Sequence, residues 1–249
     1  MSADFPQELV HALRAARQVT VLTGAGISAE SGVPTFRDPQ SGLWSRFRPE
    51  DLANAAAFRR DPKLVWDWYE WRRRTIEAAG PNAGHLALVR MEKQVPGFAL
   101  ITQNVDGLHA RAGSKNVIEL HGSIMRSKCL EEDIVAEPAD GDEERPPRCT
   151  RCGAPLRPDV VWFGESLKEK TLSDAAAAAS NCQIFFSIGT SSVVNPAAQL
   201  PELAFHSGAK VVEINPEPTR LTGMAHLSLR GAAGAILSRL VMATWPDAS

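Results

Sequence analysis

Four groups of residues in this chain have types and spacings that could do chemistry. The first is Gly24-Ala25-Gly26 followed by Ser28, at the end of an apolar run over 19–22. Glycines at 24 and 26 let a backbone turn sharply and approach a negative charge closely. The amides of a helix opened from Ser28 onward would then point at a pyrophosphate. A tight strand-to-helix turn that binds nothing would use the same glycines, and the third glycine of the usual dinucleotide fingerprint is missing. The second is His121, directly after a short apolar run over 117–120; imidazole titrates near pH ~6.5 and can accept a proton near neutrality. The third is Tyr69 with Arg72, three apart in Trp66-Asp-Trp-Tyr-Glu-Trp-Arg-Arg-Arg74. On a helix they project from one face, where a phenol beside a planar guanidinium makes a fork for a carboxylate. The plainer alternative is an aromatic helix packed through Trp68 and Trp71 with its arginines exposed. The fourth is Cys149-Thr-Arg-Cys152 with Cys129 upstream. Structural zinc takes four nitrogen or sulfur ligands, usually from two Cys-x-x-Cys pairs, yet Glu132 stands where the second pair needs a cysteine. Either three thiolates and a carboxylate, from Glu132 or Asp133, hold zinc, or packing alone holds the loop.

These groups need a frame, and the hydrophobic pattern predicts one. Leu9, Leu13 and Ala16 mark a helix over 6–17, which leads to a strand over 19–22. A loop from 38 passes into helical sequence over 49–79 with no strand candidate. A helix over 83–93 and strands over 98–102 and 117–120 follow, both strands expected as parallel neighbours of the first. Acidic and proline-rich residues then lie between the cysteines. After them come a helix at 169–180, a strand at 183–188, a helix at 201–206, a strand at 210–214 and a helix at 232–243. Alternation of this kind predicts an α/β fold, a doubly wound parallel-sheet (Rossmann-like) large domain made of 1–37, 83–124 and 157–249. A small domain would combine a helical insertion, 38–82, with a zinc-ribbon-like insertion, 125–156. Ligands of such sheets bind at the carboxyl ends of the strands. There Gly189-Thr190-Ser191 and Asn215-Pro216-Glu217 place small or hydrogen-bonding groups that suit a ribose or adenine, although each alone reads as an ordinary turn.

Composition bounds the class. At 249 residues the chain can bury an ordinary core, and a net charge of −2 leaves no electrostatic footprint for nucleic acid. No apolar run reaches the roughly 18 residues that span a bilayer, and the N-terminus has neither a signal-peptide pattern nor an Arg-rich leader. Four cysteines, two in a Cys-x-x-Cys pair, suit intracellular metal or thiol chemistry better than a disulfide framework, and Cys182 reads as core. The expectation is a cytoplasmic protein, monomeric, without nucleic-acid or membrane partners.

Four strings together, Gly24-Ala-Gly-Ile-Ser28, Gly32-Val-Pro-Thr-Phe-Arg37, Gln103-Asn-Val-Asp-Gly-Leu-His109 and His121-Gly-Ser123, resemble in order and spacing the motifs of the sirtuins, the NAD-dependent protein lysine deacylases. The likeness runs from about Val19 to the C-terminus. It implies NAD as cofactor, held by Gly24, Ala25, Gly26, Ser28, Thr35, Phe36 and Arg37. By the same resemblance Gln103 contacts the nicotinamide ribose, Asn104 and Asp106 hold the nicotinamide end, and Ala232 lies against the adenine. Gly189, Thr190, Ser191, Asn215, Pro216 and Glu217 take the rest of the adenosine half. Phe36 would screen the reactive sugar from water and Arg37 would set the cofactor loop. His121 becomes the catalytic base, with Asn104 and Asp106 also catalytic, while His11, His85, His206 and His226 are read as structural. The implied reaction is attack by the acyl-lysine amide oxygen on the anomeric carbon, loss of nicotinamide, and activation of a ribose hydroxyl by His121, giving O-acyl-ADP-ribose.

The resemblance also implies acyl-lysine proteins or peptides as partners. They would lie along the segment 160–165, through Val161, Phe163, Gly164 and Glu165, opposite a loop at 193–197. In that loop Asn195 stands where related acidic-acyl deacylases often carry tyrosine. The Tyr69-x-x-Arg72 pair resembles that of the desuccinylase and demalonylase class, so succinyl and malonyl groups are expected to be removed ahead of acetyl. Zinc at Cys129, Cys149 and Cys152 is implied as a structural metal. The competing readings are a sirtuin-type mono-ADP-ribosyltransferase, which needs no acyl fork, and a non-catalytic NAD or ADP-ribose sensor, which would not need His121, Asn104 and Asp106.

Overall fold

The computed structural model of the chain describes residues 5–33, 42–138 and 144–247. Helix α1 (Gln7–Ala15) delivers the chain to strand β1 (Gln18–Thr23). Three helices follow, α2 (Pro49–Leu52), α3 (Ala55–Arg60) and α4 (Pro62–Ala78), then α5 (Ala83–Gln94) and β2 (Gly97–Thr102). A short helix α6 (Leu108–Ala112) leads to β3 (Val117–Glu119), β4 (Gly122–Cys129) and β5 (Leu156–Val160). The chain closes with α7 (Glu169–Ser180), β6 (Ile184–Ile188), α8 (Leu200–His206), β7 (Lys210–Ile214), β8 (Leu227–Leu229) and α9 (Ala233–Thr244).

Six strands form one parallel sheet in the order β3-β2-β1-β6-β7-β8. Alternation along the strands divides its two faces. Val19, Val21, Leu100, Phe186 and Val212 pack under α1, α5 and α9, with Leu13, Leu88, Met91, Leu237 and Leu240. Leu22, Ile101, Phe185 and Val211 pack on the other face against α7 and α8, through Ala175, Ala179, Leu200 and Ala204. Strand order reverses between β1 and β6, where a doubly wound sheet leaves its crevice. Two expectations change. β3 does not neighbour β1: it pairs with β2 at the sheet edge, and β6 takes the second side of β1. The five buried residues of β6 need cover all round, whereas Val117–Glu119 are only half-buried and suit an edge. The last strand, β8, is three residues long and carried no period to announce it.

The helical stretch over 49–79 is built of three helices, because two side chains cap new starts. Asn54 accepts from the Ala57 amide at 2.7 Å and Asp61 from the Leu64 amide at 3.0 Å, with Pro62 in the first turn. These helices share a core with the antiparallel pair β4–β5, in which Leu52, Phe58, Val65, Trp68 and Tyr69 meet Ile124, Val160 and Trp162. Among the described residues no helix is long and apolar enough to cross a membrane.

Candidate active site

Parallel strands bring all their carboxyl ends to one side, so groups far apart in sequence meet. β1 ends just before Gly24, β2 before Gln103, β6 before Gly189 and β7 before Asn215, with His121 two residues past β3. The turns after β1 and β6 cross backbone to backbone: the Gly24 amide donates to the Ile188 carbonyl at 3.0 Å, and the Gly26 amide to the Gly189 carbonyl at 2.8 Å. A Cβ on Gly24 would lie 2.8 Å from the Gly189 oxygen. One on Gly189, whose φ is +59°, would lie 2.6 Å from the Ile27 nitrogen. The protein's own close crossing therefore already demands these glycines. Among the described residues, to 33, the helix expected from Ser28 is absent. Two 3-10 turns, Ala25–Ile27 and Ala29–Ser31, stand there, and Gly32 at φ +75° ends them. Instead Glu30 reaches the first turn of α9, accepting from the Gly234 amide at 2.7 Å, with Ala232 immediately before that helix.

A buried polar cluster fills the space beside this crossing. Asn104 donates through Nδ2 to the Gly24 carbonyl and to Ser28 Oγ, both at 3.1 Å, and Ser28 donates to Asp106 Oδ2 at 2.7 Å. The other Asp106 oxygen accepts from the Leu108 amide at 2.9 Å. Gln103 Nε2 bridges to Thr190 Oγ1 at 3.0 Å, tying the end of β2 to that of β6. Ser191 is half-buried beside it, Asn215 Nδ2 donates to the Glu217 carbonyl at 3.1 Å, and Pro216 and Glu217 are exposed. Thr35, Phe36 and Arg37 lie outside the described residues. Small backbone turns plus converging amides and hydroxyls that donate, and a carboxylate that accepts, make a polar lining that fits a dinucleotide.

His121 Nδ1 lies 2.8 Å from the Gln103 carbonyl. A carbonyl only accepts, so Nδ1 carries the ring proton and Nε2 is left basic. Burial lowers the His121 pKa, partly opposed by that carbonyl, so the ring is neutral near pH ~7 and ready to accept a proton. Beneath the cluster the Asn104 amide donates to Thr102 Oγ1 at 3.1 Å, Thr23 Oγ1 donates to the same oxygen at 2.9 Å, and His109 Nε2 stands 3.0 Å from Thr23 Oγ1. His109 packs against His85 with ring centroids 4.8 Å apart and the planes tilted by 60°. His85 is fully buried, in keeping with its structural reading; His109, the last residue of its motif string, was overlooked, although its apolar neighbours Leu108 and Ala110 pointed to burial.

On α4, Tyr69 and Arg72 are both buried, Arg72 to 8 % exposure, whereas Arg74 is exposed. Arg73 is partly buried, donating to the Ile124 carbonyl at 2.7 Å and pairing with Glu70 at 2.6 Å. Burial lowers the Arg72 pKa and pushes that of Tyr69 up to about 12. The Arg72 guanidinium sits 5.2 Å from the Trp68 ring centroid. In the following segment the Val161 amide donates to the His121 carbonyl and the Phe163 amide to the Ala53 carbonyl, each at 2.9 Å. Phe163, Val193 and Val194 expose their side chains, and Gly164 turns the chain at φ +86°. Glu165, expected at the peptide, has its carboxylate taken by Arg157 at 2.6 and 2.9 Å and by the Trp162 amide at 2.9 Å. It holds the segment from inside. Trp162, passed over in sequence, donates its indole N–H to Tyr69 Oη at 3.0 Å.

The cysteines converge as well. Ligand atoms of Cys129, Glu132, Cys149 and Cys152 all lie within 4.8 Å of one another, and the Cys129 and Cys152 sulfurs are 3.4 Å apart. Of the two candidate carboxylates Glu132 is the one brought in, pairing also with Arg151 at 3.2 Å, whereas Asp133 pairs with Lys128 at 2.6 Å. Cys182 is buried in the sheet core, its thiol directed to the Ala179 carbonyl at 3.2 Å. Three thiols and one carboxylate form a donor set that fits tetrahedral zinc.

Comparison with known proteins agrees with this geometry. The Sir2 family model matches residues 24–196. An NAD-dependent protein deacylase of Methylococcus capsulatus is 49 % identical over 248 residues, covering 96 % of this chain and 97 % of its own. NAD-dependent protein deacylase 1 of Pseudomonas aeruginosa is 46 % identical over 246 residues, covering 96 % and 98 %. A crystal structure of a Sir2 homolog–NAD complex superposes with a TM-score of 0.91 at 43 % identity, over 99 % of this chain and 96 % of that one. A Sir2–p53 peptide–NAD+ structure gives 0.83 at 33 % identity, over 95 % and 96 %.

Proposed function

The chain belongs to the Sir2 family, and we infer that it is an NAD-dependent protein lysine deacylase whose preferred acyl groups are acidic, succinyl and malonyl ahead of acetyl. The observation that carries the acyl preference is the burial of Tyr69 and Arg72 together on one face of α4. A planar guanidinium and a phenol offered from one helix face present paired donors, which suit a carboxylate better than a methyl group.

Ser28, Gln103, Asn104 and Asp106 would hold the nicotinamide half of NAD, and Gly189, Thr190, Ser191, Asn215, Pro216, Glu217 and Ala232 the adenosine half. Bound NAD supplies a sugar carbon that exchanges nicotinamide for the acyl oxygen. Every other task falls to the chain. His121, held by the Gln103 carbonyl with its proton on Nδ1, presents Nε2 to take a hydroxyl proton. The Ser28–Asn104–Asp106 cluster fixes polar groups before any ligand arrives, so little reorganisation remains to be done at reaction. The segment through Val161, Phe163 and Gly164 would receive the peptide backbone opposite Val193 and Val194, a mode that reads little sequence. Zinc held by Cys129, Cys149, Cys152 and Glu132 would tie the loop between β4 and β5 without touching the reaction. We further propose the division into a large domain (1–37, 83–124, 157–249) and a small one (38–82, 125–156), and a monomer working in the cytoplasm without nucleic-acid or membrane partners.

Acetyl-, propionyl-, malonyl- and succinyl-lysine peptides assayed with NAD test the reading, beside Arg72→Met. Succinyl turnover should exceed acetyl and fall in the variant by about tenfold or more, one charge-assisted contact being lost, while acetyl turnover persists. A variant that keeps its succinyl activity would overturn the assignment.

A further inference from the structure

Behind the two donors of the acyl fork lies a second layer. The Trp162 indole, 2 % exposed, donates to Tyr69 Oη at 3.0 Å. The Arg157 guanidinium lies over the ring, 3.3 Å from its centroid, and Arg157 is held in turn by both oxygens of Glu165. Phe58 packs on the same indole with centroids 5.3 Å apart. The ring is packed by Arg157 and Phe58 with its N–H directed to Tyr69.

An indole nitrogen only donates. The Tyr69 oxygen is therefore committed as acceptor toward Trp162, and its own O–H proton is directed away, toward whatever enters beside Arg72. Arg72 also only donates. Resting on the acidic-acyl reading above, we propose that Trp162 is a specificity-determining positioning residue: by fixing Tyr69 as a donor it makes the end of the acyl pocket all-donor, matched to a carboxylate and mismatched to an acyl terminus that itself carries N–H groups. Trp162 touches no reacting atom in this scheme; it acts through Tyr69.

The discriminating probe is a succinamoyl-lysine peptide, which replaces one carboxylate oxygen of the succinyl group by NH2 at nearly unchanged size. Full-length protein with NAD should process succinyl over succinamoyl peptide by about tenfold or more, since the amide N–H groups face donors. Trp162→Phe keeps an aromatic ring and removes the N–H, freeing the Tyr69 hydroxyl to turn and accept. That variant should narrow the succinyl-to-succinamoyl ratio about tenfold, mainly through KM, with acetyl turnover little changed. A merely structural role would depress all three peptides alike. In a double-mutant cycle Trp162→Phe should add nothing to Tyr69→Phe. If the wild-type protein prefers succinyl to acetyl but treats succinyl and succinamoyl peptides equally, or if Trp162→Phe leaves their ratio intact, the positioning role is overturned while the acidic-acyl reading survives. A wild-type protein that prefers acetyl overturns both. Should Trp162→Phe fail to fold, Tyr69→Phe carries the test: it should narrow the succinyl-to-succinamoyl ratio about tenfold, and an unchanged ratio overturns the positioning role.

Discussion

The buried, ring-to-ring pair His85 and His109 makes the protein's stability depend on pH in a window that carboxylates leave clear. Burial drops the His109 pKa to about 3, with the charge of His85 adding to the effect, and the His85 pKa is lowered too, chiefly by burial. A histidine kept neutral in the fold but free to charge in the unfolded chain binds fewer protons when folded. Stability therefore falls as pH drops below ~6.5 and stops falling only near the folded value. Between about pH 7 and about pH 5 the unfolded form gains nearly 1.4 units of protonation advantage over a His109 that stays neutral. At about 1.36 kcal/mol per unit this costs about 2 kcal/mol. For a chain of this size that is a fall of roughly 4–8 °C in Tm from one residue. Carboxylates whose pKa is depressed, such as Glu165 and Glu213, release their contribution only below their unfolded values near ~4.5 and stay silent in this window. The perturbation is His109→Phe, which retains a ring against His85. Denaturant melts at both pH values and equal ionic strength read the slope, whatever the variant's absolute stability. Wild-type protein should lose about 2 kcal/mol more than the variant across the window. Equal losses would refute the neutral buried imidazole.

Three further outcomes follow from the same geometry. Purified protein should carry about one equivalent of zinc; Glu132→Ala should lower metal content and retention against a chelator while Glu132→Cys keeps both, and less than about a tenth of an equivalent in the wild type would contradict the four-ligand site. Gly189→Ala puts a Cβ 2.6 Å from the Ile27 nitrogen at φ +59°, so its Tm should drop by roughly 5 °C or more, with a loss of NAD-induced stabilisation in the same melts. His121→Ala should cut product formation by roughly a hundredfold or more while the NAD-induced Tm shift remains, separating the proton acceptor from the binding site.

The large sheet was legible because its strands are short apolar runs separated by helix-period sequence, and β1, β2, β6 and β7 fall within a residue or so of their expected positions. What failed had local physical causes. The helix expected after Ser28 gives way to two 3-10 turns because Gly32 takes a left-handed conformation. β3 went to the edge because its three residues are only half-buried. β4 and β5 hid because their interior is polar as well as apolar: Ser123, Ser127, Lys128, Arg157 and Asp159 are all buried there, with Ser123 opposite Asp159 and Lys128 opposite Arg157. At the site, the described residues of the Gly24, Gln103 and His121 strings lie together at the strand ends, but those acting through others did not announce themselves. Trp162 sat inside a segment read for its backbone, His109 at the end of a string read for Asn104 and Asp106, and Glu30 caps a helix 204 residues away in sequence. Such roles depend on what the fold brings opposite a side chain, which spacing along the chain does not encode.

The central claim is that an acyl-lysine chain ending in a carboxylate reacts with NAD in the cleft between His121 and the Tyr69–Arg72 pair. Mass spectrometry of a reaction containing the protein, NAD and a succinyl-lysine peptide tests it most directly. The account predicts free lysine peptide, nicotinamide and O-succinyl-ADP-ribose in equal amounts, formed faster than the matching acetyl products. Intact peptide after incubation, or deacylation that leaves NAD unconsumed, would contradict it.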